Sequence, residues 1–423
     1  MPVQDAPADA STIAAGALRP ADHPRQRPAP LARLRHVLCL DDFETAAQRH
    51  LPRPVFAYLS GAAETNRSFH ANRESFAAYD LVPRVLVDVM RRDTGVTLFG
   101  RRYDAPFGIA PMGLQGLSAY RGDLVLAQAA ARENVPFVMS GSSLIRLEDV
   151  AQANRDAWFQ AYLPGDDAGM VALVERVHAA RYETLVITLD TPVGANRENN
   201  TRAGFTIPVR PGVGLAWQGL THPRWLVGTF LRTLALHGMP HFENNYATRG
   251  APILSANVER NLSDRGHLGW QHLRMIRAMW GGRLVVKGVL DPRDARMAAE
   301  AGVDGIIVSN HGGRQLDGAI APLRVLPAIV KACPGIPVMI DSGIRRGSDV
   351  LKALALGASF VFVGRPFAFA ASVGGEAGVL QAIDLLRQEV SRNMALLGVT
   401  ALGQLDADFV AAHPGAFHAG AAA

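Results

Sequence analysis

From Phe107 onward the chain alternates short apolar runs with amphipathic stretches, and this rhythm limits what it can fold into. The apolar runs are Phe107–Ala110, Phe137–Ser140, Trp158–Tyr162, Leu185–Asp190, Leu284–Lys287, Gly305–Ser309, Val338–Asp341 and Ser359–Gly364. Continuous apolar runs of this length read as strands buried on both faces, the habit of parallel sheets. Between most of them lies a stretch with helical spacing, such as Asp123–Glu133, Met170–Ala180, Pro292–Ala301 and Ser348–Leu356. Repeated strand–helix units predict an α/β fold, a (β/α)8 TIM barrel, with an open doubly wound sheet as the alternative.

One connection breaks the rhythm. Between the fourth and fifth runs the chain travels from Thr191 to Arg283, and only its end, His272–Trp280, reads as the barrel helix. The rest, 206–266, is too long for an ordinary loop and predicts a functional or disordered insertion after strand 4. Within it, Trp225–Gly238 is apolar with one arginine, Arg232, which fits an amphipathic surface helix too short to cross a bilayer. The start, 1–35, is rich in Ala, Pro and Asp and predicts a disordered extension. The barrel is expected over 36–405 and a flexible tail over 406–423.

Composition excludes several classes. The chain has 423 residues, 48% of them hydrophobic, enough for a sizeable core. Its two cysteines, Cys39 and Cys333, make neither a disulfide framework nor a metal cluster, which predicts a reducing cytoplasm and no metal. The net charge of +5 is dispersed, without the basic runs that nucleic acid requires. It suits small anionic ligands and, more weakly, an anionic membrane surface. No apolar segment opens the chain, so no secretory signal is expected. The expected location is cytoplasmic, with peripheral attachment to the inner face of the membrane as the variant.

Barrel enzymes carry their chemistry at the carboxyl ends of the strands. Gln160 and Tyr162 follow the third run, Asp190 and then Arg197 the fourth, and Lys287 the fifth. Ser309, Asn310, His311, Gly312, Gly313 and Arg314 close the sixth. Asp341, Gly343, Arg345 and Gly347 follow the seventh, and Gly364 and Arg365 the eighth. Glycine lets backbone N–H groups approach an oxyanion, and arginine adds a bidentate charge partner. Singly these glycines would only make tight turns; together, after strands seven and eight, they predict a phosphate site. His311 titrates near neutrality and suits a general base, with Asp190 across the barrel mouth to orient it. Arg197 and Arg314 offer a fork for a substrate carboxylate. Lys287 needs a partner, either an electron-rich cofactor edge or a carboxylate such as Asp341.

The run SNHGGRQLDG (Ser309–Gly318) resembles the active-site signature of the FMN-dependent 2-hydroxy-acid oxidising enzymes, the family of glycolate oxidase, lactate dehydrogenase and mandelate dehydrogenase. DSGIRRGSDVLKALALGA (Asp341–Ala358) followed by Gly364-Arg365-Pro366 is similar to that family's FMN-phosphate segment. IAPMGLQG, WFQAY, TLDTP, VKGV and YLSGAAE match in order, and the likeness runs from about Leu40 to Leu405.

The resemblance implies FMN as cofactor, with His311 as the base and Asp190 its partner. Arg197, Arg314 and Tyr58 would hold the substrate carboxylate, and Tyr162 would bond and polarise the substrate oxygens. Lys287 would face the N1–C2 edge of the flavin and stabilise its reduced form. Ser140, Gln160 and Thr188 would meet the flavin's polar edge, with Met112 and Gly113 behind it. Ser309 would also border the cofactor, and Asp341, Gly343, Arg345, Gly364 and Arg365 would hold ribityl and phosphate. The implied reaction oxidises an L-2-hydroxy acid, lactate-like or as bulky as mandelate, to the 2-oxo acid, by hydride transfer or after a carbanion.

Departures from the family also carry information. Ser142 stands where glycolate-type enzymes have tryptophan, and Gly194 where a leucine is common, which predicts a wider pocket. Ala203-Gly204-Phe205 replaces an Asn-Arg-Phe run, a change of loop packing. The insertion, with HPRW and HGMPHF, resembles that of the membrane-associated lactate and mandelate dehydrogenases. That likeness implies a quinone or cytochrome as electron acceptor, with an oxidase using oxygen as the alternative, and a homo-oligomer, a tetramer by family.

Overall fold

The computed structural model describes residues 32–257 and 265–413. The eight apolar runs form one parallel sheet. Its strands are β1 (Phe107–Ile109), β2 (Val138–Ser140), β3 (Trp158–Ala161), β4 (Thr184–Thr188), β5 (Arg283–Val289), β6 (Gly305–Val308), β7 (Val338–Ile340) and β8 (Phe360–Val363). Each strand pairs with the next, β8 pairs with β1, and a parallel bridge between Ile109 and Phe137 closes the circle. The sheet is therefore a barrel, as the strand–helix rhythm predicts, and not an open doubly wound sheet.

Side chains alternate across each strand. Val138, Trp158, Val186, Val285, Ile307, Met339, Phe360 and Phe362 point inward and form one apolar cluster. Their neighbours Leu185, Ile187, Leu284, Val286, Ile306 and Val308 belong to the outer cluster beneath the helices. A hairpin, Val96–Leu98 with Arg101–Tyr103, places Leu98 and Tyr103 in the inner cluster and plugs the amino end.

The same period of two builds the site. Two residues after Val138, Trp158, Val186, Val285, Ile307 and Met339 stand Ser140, Gln160, Thr188, Lys287, Ser309 and Asp341. All six are buried. A polar ring thus caps the apolar filling at the carboxyl end, and burying it requires partners within the ring or in a ligand.

The long helix Arg365–Leu397 is the one described helix long and apolar enough to cross a membrane. It packs on the barrel instead: Phe367, Phe369, Val379 and Leu386 are fully buried, and Gly375, at φ 58°, breaks its regularity. The boundaries expected at both ends move. Leu34 is buried against the core, so the ordered chain begins before residue 36. Beyond Leu405, Val410–Ala412 pairs antiparallel with Tyr79–Leu81, so the expected tail is ordered as far as His413. Most of the expected extension, 1–31, and the last ten positions, 414–423, lie outside the described residues.

The insertion is mostly structured. Val213–Thr221 is helical, and Pro223–His237 forms a second helix with a π-helical turn over Leu226–Leu231. Trp225 is buried, donates Nε1–H to the Leu117 carbonyl at 2.8 Å and stacks on Phe230. It anchors the second helix to the barrel, a correction to reading Trp225 as part of an outward apolar face. Val213, Trp217, Leu220, Val227, Leu231 and Leu236 remain exposed.

Candidate active site

A cavity of about 610 Å³ opens at the carboxyl end of the barrel. Of the residues expected at the site, it is lined by Tyr58, Met112, Gly113, Gln160, Tyr162, Thr188, Arg197, Lys287, His311, Arg314, Asp341, Gly343, Arg345, Gly364 and Arg365. Two others sit one layer down. Ser140 donates to Gln160 Oε1 at 3.1 Å, and Ser309 Oγ accepts from Lys287 Nζ at 2.7 Å and from the His311 amide at 3.0 Å. Neither side chain lines the cavity, because each hydroxyl is engaged by these neighbours in the wall.

His311 lies in the left-handed region, at φ 58°, followed by Gly312 and Gly313 at φ 67° and 74°. Such a run turns the chain sharply off β6 and brings the imidazole back over the barrel mouth. The loop is fixed from below by reciprocal side-chain amide bonds between Asn310 and Asn72, at 2.7 and 2.8 Å. Asp190 Oδ1 accepts from His311 Nδ1 at 2.8 Å, which leaves Nε2 free toward the cavity, 3.5 Å from the Tyr162 hydroxyl. Burial lowers the His311 pKa below 6.5, and Asp190 only partly opposes it. Burial would raise the Asp190 carboxyl, but the charge and hydrogen bond of His311 outweigh it and hold it below its ordinary value. The pair is therefore a neutral imidazole beside a carboxylate.

Gly288, at φ 102°, marks a bulge in β5 between Lys287 and Val289. A Cβ there would meet the Asp190 side chain at 2.7 Å, so glycine is what lets Asp190 approach. Lys287 pairs with Asp341 Oδ2 at 3.1 Å. Burial alone would lower its pKa, but Asp341 and Asp190 together raise it, so the ammonium stays charged.

Three of the arginines are held by neutral groups, and the fourth, Arg345, by a carboxylate. Arg314 Nη1 donates to the carbonyls of Tyr58 and Gly61, and Arg197 donates to the Arg314 carbonyl and to Gln315 Oε1. Arg365 donates to the carbonyls of Leu59 and Gly61. Arg345 lies 3.5 Å from Asp41. Burial lowers the pKa of Arg314 to about 10 and that of Arg365 well below its ordinary value, each aggravated by neighbouring arginines.

Gln315 and Arg265 were not legible as site residues. Gln315 receives Arg197 and donates Nε2–H to the Asp190 carbonyl at 3.0 Å, tying the two loops together. Its only signal was its place inside SNHGGRQLDG. Arg265 comes from the insertion, and no pattern around it in the sequence marks it.

The chain matches the model of the FMN-dependent dehydrogenases over residues 47–412. It belongs to that family. The L-lactate dehydrogenase of Ectopseudomonas mendocina is 39% identical over 380 residues, 87% of this chain and 97% of that one. The (S)-mandelate dehydrogenase of Pseudomonas putida is 38% identical over 374 residues, covering 88% and 93%. A solved structure of a monotopic membrane protein, (S)-mandelate dehydrogenase, superposes with a TM-score of 0.84 at 36% identity, over 89% of this chain and 100% of that one. A mandelate oxidase structure superposes at 0.72 with 35% identity, over 87% and 96%.

The cavity fits FMN. Gln160 Nε2 is buried without a hydrogen-bond partner among the described residues, as an amide awaiting a flavin edge would be. Arg365 opens the helix Arg365–Leu397 with carbonyl partners only, a cation and a helix amino terminus suited to one phosphate.

Proposed function

We propose that the protein oxidises an L-2-hydroxy acid to the 2-oxo acid, with His311 as the base. The observation that carries this reading is the His311 Nε2 lone pair, turned into a cavity walled by Arg197 and Arg314. The substrate carboxylate docks on those two guanidinium groups and on Tyr58. His311 then removes a proton from the substrate at Nε2, and Asp190 stabilises the imidazolium through Nδ1–H. Tyr162 orients the substrate oxygen. Bound FMN supplies the two-electron sink. Lys287, Gln160 and Thr188 would meet the polar edge of bound FMN, Met112 and Gly113 would border its ring, and Asp341, Gly343, Arg345, Gly364 and Arg365 would hold the ribityl phosphate, with Ser140 and Ser309 supporting the wall. Six cations line the cavity against one carboxylate, Asp341, the balance expected of a site for a phosphate dianion and an organic acid.

Ser142 and Gly194 both line the cavity, and no atom lies within 4 Å of a Cβ built on Gly194, which favours substrates bulkier than glycolate. Phe205 and Phe242 give the pocket an aromatic wall. Stopped-flow reduction of the bound flavin by glycolate, L-lactate and (S)-mandelate tests this. Reduction by the larger acids is expected, and no reduction by any of them overturns the reading.

We infer further that the enzyme binds the inner face of the membrane peripherally, through the insertion, and passes electrons to a quinone or cytochrome. Exposed Trp217, Leu220, Val227 and Leu231, with Arg224 and Arg232 beside them, support this, because rings and alkyl chains bury at the headgroup boundary while guanidinium groups stay wet. The likeness to a monotopic membrane enzyme supports it too. Rapid turnover with oxygen alone by a protein that ignores vesicles would leave the oxidase. Exposed Val85, Leu86 and Met90 on one loop support a homo-oligomer, the tetramer of the family resemblance, which sedimentation velocity would measure.

A further inference from the structure

Arg265, from the insertion, lines the same cavity as the expected substrate arginines Arg197 and Arg314. It is 7% exposed, and its guanidinium lies 4.8 Å from the centroid of the Tyr162 ring. Tyr162 in turn reaches His311, its hydroxyl 3.5 Å from Nε2, so Arg265 stands one aromatic ring away from the expected base. Burial lowers its pKa, with only the phenols of Tyr162 and Tyr246 acting against that. No carboxylate among the described residues forms an ion pair with it, whereas Lys287 has Asp341, His311 has Asp190 and Arg345 has Asp41.

The first carboxylate of a 2-hydroxy acid has two arginines to receive it. Arg265, a further buried cation in the same cavity, has no anion among the described residues. The guanidinium carbon lies over the Tyr162 ring, an electrostatic contact with the ring face that needs no hydrogen bond from the N–H groups. Those donors form a fork whose natural complement is a second carboxylate. We propose that Arg265 binds a side-chain carboxylate of the substrate, so that the preferred substrates are 2-hydroxy diacids. This rests on the 2-hydroxy-acid reading above and specifies its substrate class. The distal carboxylate takes no part in the chemistry: the proton leaves to His311 and the electron pair to the cofactor, as for a monoacid.

The test compares flavin reduction in the holoenzyme by L-lactate, (S)-mandelate, L-malate and L-2-hydroxyglutarate. The apparent second-order rate constant for one of the diacids should exceed that for lactate by on the order of 10-fold or more, since a buried polar group left unpaired penalises the smaller substrate. Arg265→Met should slow reduction by the diacids about 10-fold or more beyond any loss with lactate, so abolishing that preference, and Arg265→Lys should restore part of it. In a binding arm, 2-oxoglutarate and oxaloacetate should perturb the oxidised flavin spectrum at lower concentration than pyruvate, and Arg265→Met should remove the difference. Reduction by lactate or mandelate with no advantage for either diacid overturns this proposal alone. An equal loss for all four acids in Arg265→Met also overturns it, because a structural role would do the same. No reduction by any of the four overturns the 2-hydroxy-acid reading and this proposal with it.

Discussion

Asp190 and His311, 121 residues apart in sequence, meet across the barrel mouth in a 2.8 Å hydrogen bond. The bond fixes the tautomer: Nδ1 carries the proton and Nε2 is left to accept one. Because burial lowers the His311 pKa, the base stays neutral below pH 6.5. The acid limb of the kcat/KM profile is therefore expected below pH 6.5. Asp190 acts in the opposite direction, raising that pKa. Asp190→Asn should move the limb to still lower pH while slowing flavin reduction, and a pH series of stopped-flow traces would measure both.

His311→Gln removes the proton acceptor and leaves the phosphate site intact. Flavin reduction should fall by ~10²–10⁴-fold, the usual contribution of a general base, with FMN retained at full occupancy. An unchanged rate would place the base elsewhere.

Arg365 donates to two carbonyls beside the expected phosphate and has no carboxylate partner among the described residues. Arg365→Met should weaken FMN binding by about 10- to 100-fold, the equivalent of the ~1.5–3 kcal/mol typical of a hydrogen bond to a charged group. Fluorescence of flavin released on dilution checks this, and the released cofactor should be FMN and not FAD.

On the insertion, Leu220 and Leu231 are exposed while Trp225 is anchored to the barrel. Leu220→Glu with Leu231→Glu should abolish sedimentation with anionic vesicles and leave flavin reduction by the soluble substrate unchanged. Retained sedimentation would remove this face from the membrane contact.

Asp123 is fully buried, and burial raises its pKa from 3.8 to about 7 against a hydrogen bond with Ser143. Its Oδ2 has no partner among the described residues. The unfolded chain releases this proton near pH 4, whereas the folded state keeps it up to about pH 7, so this group's contribution to stability falls as pH rises through that window. The whole fall amounts to roughly 4 kcal/mol. Asp123→Asn, which is neutral throughout, should show a smaller drop in thermal midpoint between pH 5 and pH 8 than the parent protein.

Much of this protein follows from local pattern. The eight strands are legible because each is a short apolar run flanked by helical spacing, and every run contains the strand found in the structure except for the extra end residues of Thr184–Thr188 and Arg283–Val289. The polar ring is legible for the same reason: with a period of two, Lys287 must share a face with Val285, and Asp341 with Met339. His311 stood out because its flanking glycines permit a left-handed turn that few other sequences adopt. What the chain order leaves undetermined is which cation meets which anion. Of the two candidate partners of Lys287, Asp341 is brought by packing to 3.1 Å from its ammonium. Trp225 had the hydropathy of a membrane face, and a single hydrogen bond to Leu117 turned it inward. Gln315 and Arg265 lie on loops with no periodicity to constrain them. Their roles depend on distances between segments far apart in the chain, which only the closed barrel brings into contact.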